Sequence, residues 1–275
     1  MITGLIAAAI YIVFALTLSL FLVIPYLTDP TGLGADVDLL LNGVIDNTSP
    51  LIYAFSLLSV ALMLPAIILA RLIMGPRPLG LLSSVAGRLR WRWMLRTLLP
   101  ATVVFLGSLL VAVFLLPLPF GEALPEIVVG PNTTILIILT LVLVPLQATA
   151  EEYVFRGYLM QTVGAWLKHP AWAILLPIPL FVAGHLYDVW GLLDVAVFAI
   201  FAGWITWRTG GLEAAITAHV LNNATIFAFG ALGLLDVNAS EGSPVGVVMT
   251  AVTLSVYTLW VVRMADRGGV DRVRG

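Results

Sequence analysis

Three charged side chains stand close together in an otherwise apolar stretch, 150–159, which reads AEEYVFRGYL. Glu152 and Arg156 are four positions apart, so on a helix they share one face and form a favourable ion pair. Charges in an apolar surrounding are costly unless they are paired. The spacing therefore predicts that Arg156 is the counter-ion of Glu152.

Glu151 is the candidate general base of this stretch. With 3.6 residues per turn it lies about 100 degrees around the helix from Glu152, so it points along a different face. A carboxylate in a partly desolvated place binds a proton more tightly, which suits a group that accepts a proton from water. We therefore expect Glu151 to act on a nearby water molecule.

Two histidines and an asparagine could complete a site around Glu151. Phe181 is one helical turn before His185 and can pack against its imidazole. His219 and Asn223 are also one turn apart, so they project together and could donate hydrogen bonds to a developing oxyanion. With Glu151 and His185 polarising a water, this set of residues is typical of a hydrolase.

The composition places these residues in a membrane protein. Of the 275 residues, 61% are hydrophobic and 10% are charged, which is typical of an integral membrane protein. The absence of cysteine excludes disulfides, thiol nucleophiles and cysteine-ligated zinc. A helix needs about 20 apolar residues to cross the hydrocarbon layer. Windows of this kind recur at roughly 5–27, 51–74, 97–117, 134–156, 171–188, 190–207, 212–233 and 245–263. We therefore predict an all-α membrane protein, a bundle of about eight transmembrane helices.

Charge is distributed unequally between the two sides of this bundle. If the N-terminus is cytoplasmic, all 13 lysine and arginine residues fall in inner loops or at inner helix ends. The charged residues of the outer loops are then all acidic. This is the positive-inside pattern. We expect both termini in the cytoplasm, and a location in the cytoplasmic membrane if the source is prokaryotic.

The longest cytoplasmic connection, 75–96, is basic and contains Trp91 and Trp93 among its arginines. Such a segment favours an amphipathic helix at the lipid headgroup layer over a nucleic-acid-binding surface. Asp194 and Glu213 are two further acidic residues in apolar windows, and we interpret both as structural because neither has a partner at a recognisable spacing.

The sequence carries three spaced motifs in this order: Glu151-Glu152-x-x-x-Arg156, Phe181-x-x-x-His185 and His219-x-x-x-Asn223. On these motifs the chain resembles the CPBP intramembrane proteases, a family that includes the CAAX-prenyl proteases of the Ras-converting type and bacterial bacteriocin-processing and immunity-associated relatives. The likeness is confined to roughly 134–233. It suggests a single integrated membrane domain in which 1–133 supplies the N-terminal spans and the basic loop, 134–233 the catalytic core, and 234–275 the last span and a basic tail.

The resemblance implies a role for each motif residue. The implied catalytic residues are Glu151, His185, His219 and Asn223, and the implied supporting residues are Glu152, Arg156 and Phe181. Glu151 would be the base, His185 would help to activate water, and the other two catalytic residues would form the oxyanion hole. The family's fold implies eight helices around an active-site cavity that opens to the cytosol.

The activity implied is that of an intramembrane endopeptidase, a hydrolase that cleaves a peptide bond in a membrane-associated or lipidated, CAAX-like protein. The substrate protein and the lipid bilayer would be its partners, and no cofactor would be required. Two alternatives from other classes stay open. One is a non-catalytic immunity or scaffold protein that keeps the motifs for folding. The other is a proton-coupled transporter, for which the inverted repeat of many transporters is not apparent.

A zinc-dependent version of the protease is a further alternative. Glu151, His185 and His219 could ligate zinc with water as the fourth ligand, and the family has often been labelled metalloprotease for that reason. The sequence lacks HExxH, however, and His219 shares its face with Asn223, a poor zinc ligand but a good oxyanion donor. We therefore favour the metal-free mechanism.

The proposed pair of Glu151 and His185 sets a condition on the fourth helix. If that helix ended at Arg156, Glu151 would lie too shallow in the membrane to meet His185, given a rise of about 1.5 Å per residue. We therefore expect helix through Gly157 and on to about Leu167, with Pro145 breaking or kinking the outer part.

Overall fold

The computed structural model describes residues 2–29, 31–75, 78–121 and 123–273. Arg77, Glu122 and Arg274, three charges of the sequence pattern, lie outside these ranges. Within them the chain is helical apart from turns and an isolated antiparallel bridge between Ser84 and Gly211. The all-α prediction is therefore confirmed.

The α-helices are α1 (Ile2–Thr28), α2 (Leu33–Leu41), α3 (Pro50–Ala61), α4 (Met63–Ile73), α5 (Trp91–Ala101), α6 (Gly107–Leu110), α7 (Thr133–Glu152), α8 (Met160–Trp166), α9 (Pro170–Leu175), α10 (Ile178–Val182), α11 (Val189–Thr209), α12 (Glu213–Ala231) and α13 (Pro244–Gly268). π-Helical segments cover Thr102–Leu106, Val111–Leu115 and Tyr153–Leu159. 3-10 turns cover Leu79–Leu82 and Leu118–Phe120.

Six helical stretches among the described residues are long and apolar enough to cross a membrane. They are Ile2–Thr28, Pro50–Ile73, Trp91–Phe120, Thr133–Trp166, Val189–Thr209 and Pro244–Gly268. The chain is a multi-pass integral membrane protein, but the expected count of eight spans is not confirmed. The expected span at 171–188 is replaced by the short helices α9 and α10, with Pro177 between them. The expected span at 212–233 is the single helix α12, whose apolar sequence is interrupted by His219, Asn222 and Asn223.

The fourth predicted span is longer than the hydropathy window and continues to Trp166, as expected. Helix α7 passes into the π-helical segment Tyr153–Leu159 and then into α8 without a loop. Pro145 lies inside α7, so the helix is not broken there. The prediction of helix through Gly157 is confirmed, and Arg156 lies in the π-helical part.

The chain divides into two compact units. Unit 1 comprises Met1–Gly75, Leu116–Glu151 and Asn223–Ala239, and unit 2 comprises Pro76–Leu115, Glu152–Asn222 and Ser240–Gly275. The functional division into 1–133, 134–233 and 234–275 stays a prediction.

The core of unit 1 joins α3 to α7. Tyr53 and Leu57 of α3 pack against Leu143 and Val144 of α7, and all four are buried. The Tyr53 hydroxyl lies 2.8 Å from the Thr140 hydroxyl, so its polar end is satisfied inside the core. This contact fixes the middle of α7, the helix that ends with the two glutamates.

The core of unit 2 is built around the packing of α11 against α13. Small side chains at Ala199 and Ala202 of α11 allow close approach of neighbouring helices, as is common in membrane proteins. Tyr257 of α13 is buried and donates its hydroxyl hydrogen to the carbonyl of Ala214, at 2.8 Å. Helix α12 is therefore bound to α13 at its first turn.

The connection before α5 differs from the expected amphipathic helix. After the 3-10 turn Leu79–Leu82 the chain is irregular, and α-helix begins only at Trp91. The reason is that its backbone forms hydrogen bonds with the turn after α11 instead of within a helix. Val85 N–H donates to Gly210 O, and Leu212 N–H donates to Ser83 O, both at 2.9 Å. Amphipathic character is found instead in the first turn of α5.

Candidate active site

Glu152 is the centre of a buried polar network in unit 2. Its side chain is 0% exposed, and its Oε1 accepts a hydrogen bond from Arg156 Nη1 at 3.0 Å. The same oxygen lies 2.8 Å from His219 Nδ1. The predicted pair of Glu152 with Arg156 is confirmed, and His219 is a second partner that spacing could not reveal. One carboxylate oxygen therefore holds a guanidinium and an imidazole from two different helices.

Phe181 packs against the other side of Arg156. The guanidinium carbon lies 4.4 Å from the centroid of the Phe181 ring, which is the geometry of a cation–π contact. The ring also contacts Phe155 edge to face, at 4.9 Å between centroids. Phe181 thus encloses the charged pair in apolar surroundings and fixes the orientation of the guanidinium.

His185 lies three residues beyond the end of α10, so its expected place on the fifth helix is wrong. Its Nδ1 is 2.9 Å from the carbonyl oxygen of Phe181, and its ring lies 5.0 Å from the Phe181 ring between centroids. The predicted packing of Phe181 on this imidazole is confirmed. With Nδ1–H donated to the carbonyl, Nε2 is the acceptor nitrogen of the neutral ring.

His219 is buried on α12 between aromatic rings. Its imidazole lies 4.8 Å from the ring of Phe198 and 6.3 Å from that of Phe181, between centroids. Because Nδ1 faces the carboxylate of Glu152, the ring orientation is fixed and Nε2 is directed away from Glu152.

Glu151 takes part in a second network, which lies in unit 1. Gln147, one turn earlier on α7, donates from Nε2 to Glu151 Oε2 at 2.5 Å. Asn223 donates from Nδ2 to Gln147 Oε1 at 3.2 Å. Both Gln147 and Glu151 are buried. The Gln147 amide thus bridges the predicted base and one predicted oxyanion donor, a role that the sequence reasoning missed although the i,i+4 spacing from Glu151 could have indicated it.

The two networks divide the predicted site residues between the units. Glu151 and Asn223 are joined through Gln147 in unit 1. The unit 2 network contains Glu152, Arg156, Phe181, His185 and His219. That the four predicted catalytic side chains share one hydrated pocket stays a prediction.

Glu213 also has a partner that the sequence reasoning missed. Its Oε1 accepts from the backbone N–H and from Nε of Arg90, both at 2.8 Å, and its Oε2 lies 2.7 Å from Arg90 Nη2. The carboxylate is fully buried and the arginine nearly so. This bidentate pair anchors the first turn of α12, which carries His219 six residues later.

Metal binding finds no support in this structure. In the part of the chain that is described, no three or more histidine, cysteine, aspartate or glutamate side chains are grouped so that they could hold a metal ion. The predicted oxyanion donor His219 already has its Nδ1 against Glu152. The zinc-dependent version stays an alternative to be tested, and the mechanism below uses no metal.

Comparison with known proteins gives one family. Residues 130–225 match the model of the Type II CAAX prenyl endopeptidase Rce1-like family. That segment contains every residue predicted for the site. The chain is also similar to the uncharacterized protein YyaK of Bacillus subtilis (strain 168), at 33% identity over 96 residues, which is 32% of this chain and 32% of that protein. No solved structure matches.

Proposed function

Because residues 130–225 match the model of the Rce1-like family, we propose that the chain is an intramembrane endopeptidase that cleaves a membrane-associated or lipidated, CAAX-like protein. The observation that supports this most is the fully buried Glu152, which contacts both Arg156 and His219 through one oxygen. Ionisable groups in membrane helices are costly and usually mark function. Here they are oriented by specific bonds, as a catalytic site requires.

Glu151 is the proposed base. Gln147 holds Glu151 Oε2, so the direction of the other carboxylate oxygen is fixed. Glu151 takes a proton from water as the water oxygen adds to the scissile carbonyl, and the proton then passes to the amine that leaves when the C–N bond breaks. His185 orients that water, since its Nε2 can accept a hydrogen bond while Nδ1 is bound to the Phe181 carbonyl.

His219 and Asn223 are the proposed oxyanion donors. The contact of Nδ1 with Glu152 directs His219 Nε2 away from that carboxylate, and Nε2–H is the proposed donor to the oxyanion. The Asn223 amide has two hydrogens and donates one to Gln147. In the proposed mechanism the same amide also donates to the oxyanion. Glu152 and Gln147 are then positioning residues that act through the catalytic groups.

The proposed topology follows from the charge pattern of the sequence. We propose that both termini are cytoplasmic and that the site opens to the cytosol, because the lysine and arginine residues fall on that side of the spans. The substrate would then present its scissile bond from the cytosolic face, with its lipid or transmembrane part in the bilayer.

The test is cleavage of a prenylated reporter and of a single-span reporter by the purified protein in lipid. Glu151→Gln and His185→Ala should each lower kcat at least 100-fold, since a base and a water-orienting group are removed. Glu126→Gln, which removes a carboxylate from an exposed position of unit 1, is the matched control and should cleave normally.

Three results would change the conclusion. Equal cleavage by wild type and Glu151→Gln would overturn the assignment of the base. A biological activity that survives Glu151→Ala would favour the immunity or scaffold alternative. Loss of cleavage on chelation, restored by zinc alone, would favour the metal-dependent version.

A further inference from the structure

A cavity of about 470 Å³ lies within unit 2, and Arg156 of the polar network is one of the residues that line it. Its walls come from the connection Leu81–Val85, from α8, and from the turn Gly210–Leu212 after α11. The volume is within the range of small-molecule sites. Nothing in the proposed hydrolysis uses this cavity.

The charges that line the cavity all have one sign. Arg156, Lys168 and Arg272 line it, and no carboxylate does among the residues described. Arg156 is paired with Glu152 and Arg272 with Asp266, whereas Lys168 is exposed at the cavity. The hydroxyl of Thr206, which also lines the cavity, has no hydrogen-bond partner in the described part of the chain. A cavity of this kind fits an anion that accepts hydrogen bonds.

The surroundings of the cavity are those of a membrane interface. Trp207 lines it and is 47% exposed, and Trp166 and Trp172 beside it on α8 and α9 are 65% and 51% exposed. Tryptophan is enriched where the hydrocarbon meets the headgroups. Leu175 and Leu176, at the end of α9, continue this exposed apolar surface. An occupant would therefore place its anionic group in the cavity and its apolar part along α9.

We propose that this cavity binds the phosphate of an anionic phospholipid, with Lys168 as its main charged contact and the acyl chains against Trp207 and α9. Basic pockets at the cytoplasmic side of membrane helices commonly hold such headgroups. A peptide ending in a free carboxylate would satisfy the same charges, but it would leave the exposed tryptophans and leucines without a role. The lipid is therefore the better fit, and the inference is independent of the proposed protease activity.

The cavity shares Arg156 with the buried network, which gives the site a further property. A phosphate bound beside Arg156 adds negative charge close to the cation that pairs with Glu152. Bound lipid and the Glu152 network therefore interact through one guanidinium. The stability of this region depends on the lipid headgroup as a result.

The experiment measures lipid retention by native mass spectrometry on the full chain, with phosphatidylglycerol and phosphatidylcholine of identical acyl chains. Wild type should retain phosphatidylglycerol in preference. Lys168→Ala should weaken that retention roughly five-fold, and Lys168→Arg should restore it. Arg96→Ala, which removes one positive charge from an exposed position outside the cavity, should leave it unchanged.

Three outcomes would overturn the proposal. The first is equal retention of the two lipids by wild type, and the second is unchanged retention of phosphatidylglycerol by Lys168→Ala. The third is saturable binding of a short peptide that requires its free C-terminal carboxylate and Lys168 but displaces no lipid. Because the readout is binding, failure here leaves the reporter-cleavage test of the protease unaffected.

Discussion

The imidazole of His219 lies with Nδ1 2.8 Å from Oε1 of Glu152, and both side chains are buried. The two residues are 67 positions apart in the chain and sit on helices α12 and α7. The carboxylate fixes the orientation of the imidazole, so the direction of Nε2, the nitrogen proposed to face the substrate, depends on Glu152. Glu152 therefore determines how His219 can act.

Glu152→Gln should lower kcat about 100- to 1000-fold, because it weakens the contact that orients His219 as an oxyanion donor. KM should change little, since the ground-state contacts of the substrate are unaffected. A kcat equal to that of wild type would contradict the proposed role and leave Glu152 only as a partner of Arg156.

Gln147→Met keeps the side-chain volume but loses both amide hydrogen bonds. We expect kcat to fall roughly 10- to 100-fold, because Glu151 loses a contact that orients it and Asn223 loses an acceptor. The unfolding temperature should fall only slightly. Asn132→Ala, which removes an exposed amide bonded to a backbone carbonyl, is the control and should cleave as wild type. Equal kcat in both variants would contradict the proposed role of Gln147 as the bridge between Glu151 and Asn223.

Arg90→Ala should destabilise the protein far more than Arg208→Ala. The first variant leaves the buried Glu213 carboxylate without its bidentate partner, at a cost of about 3–5 kcal/mol. The second breaks a pair with Asp266, which is exposed to solvent, so its effect on stability should be much smaller. Thermal unfolding in one detergent compares the two. Similar unfolding temperatures would mean that Glu213 is not an anchor of α12.

Asp188 provides a pH-dependent contribution at the start of α11. The backbone N–H groups of Gly191 and Gly242 donate to its carboxylate, both at 2.8 Å, and hold the pKa of Asp188 below its ordinary value. A lowered folded-state pKa stabilises the fold at pH values above the unfolded-state value of about 3.9, and this contribution is lost as the pH falls through the folded-state pKa.

Asp188→Ala should therefore lower the unfolding temperature by a few degrees at neutral pH, and the difference from wild type should shrink toward pH 3. Thermal unfolding scans between neutral pH and pH 3 measure this difference in unfolding temperature. Asp271→Ala, which removes an exposed carboxylate near the C-terminus, is the control and should unfold at the wild-type temperature at neutral pH. A difference for Asp188→Ala that stays constant with pH would mean that its charge does not contribute.

Contacts within one helical turn were accessible from the sequence. The pairs Glu152–Arg156 and Phe181–His185 follow from i,i+4 spacing, and both are present. The continuation of the fourth helix to Trp166 followed from the depth that Glu151 needs. Such predictions succeed because local geometry is set by the backbone.

Contacts between distant segments were not accessible. Arg90 and Glu213 are 123 positions apart, and no period in the sequence relates them. The count of eight spans is not confirmed, and hydropathy alone does not show that Pro177 separates α9 from α10 or that His185 lies beyond the helix. These features depend on tertiary packing, and the hydropathy of a short sequence window carries no information about tertiary packing.

The π-helical segment Tyr153–Leu159 changes the angular phase of everything that follows it. A π turn closes a hydrogen bond over five residues instead of four, so it holds more residues per turn than an α-helix. Side chains of α8 are therefore rotated from the positions that a regular helical wheel drawn from Thr133 would assign to them. A turn of this kind accommodates one extra residue, so removing a single residue between Tyr153 and Leu159 should let the segment rewind as regular α-helix while α8 keeps its packing.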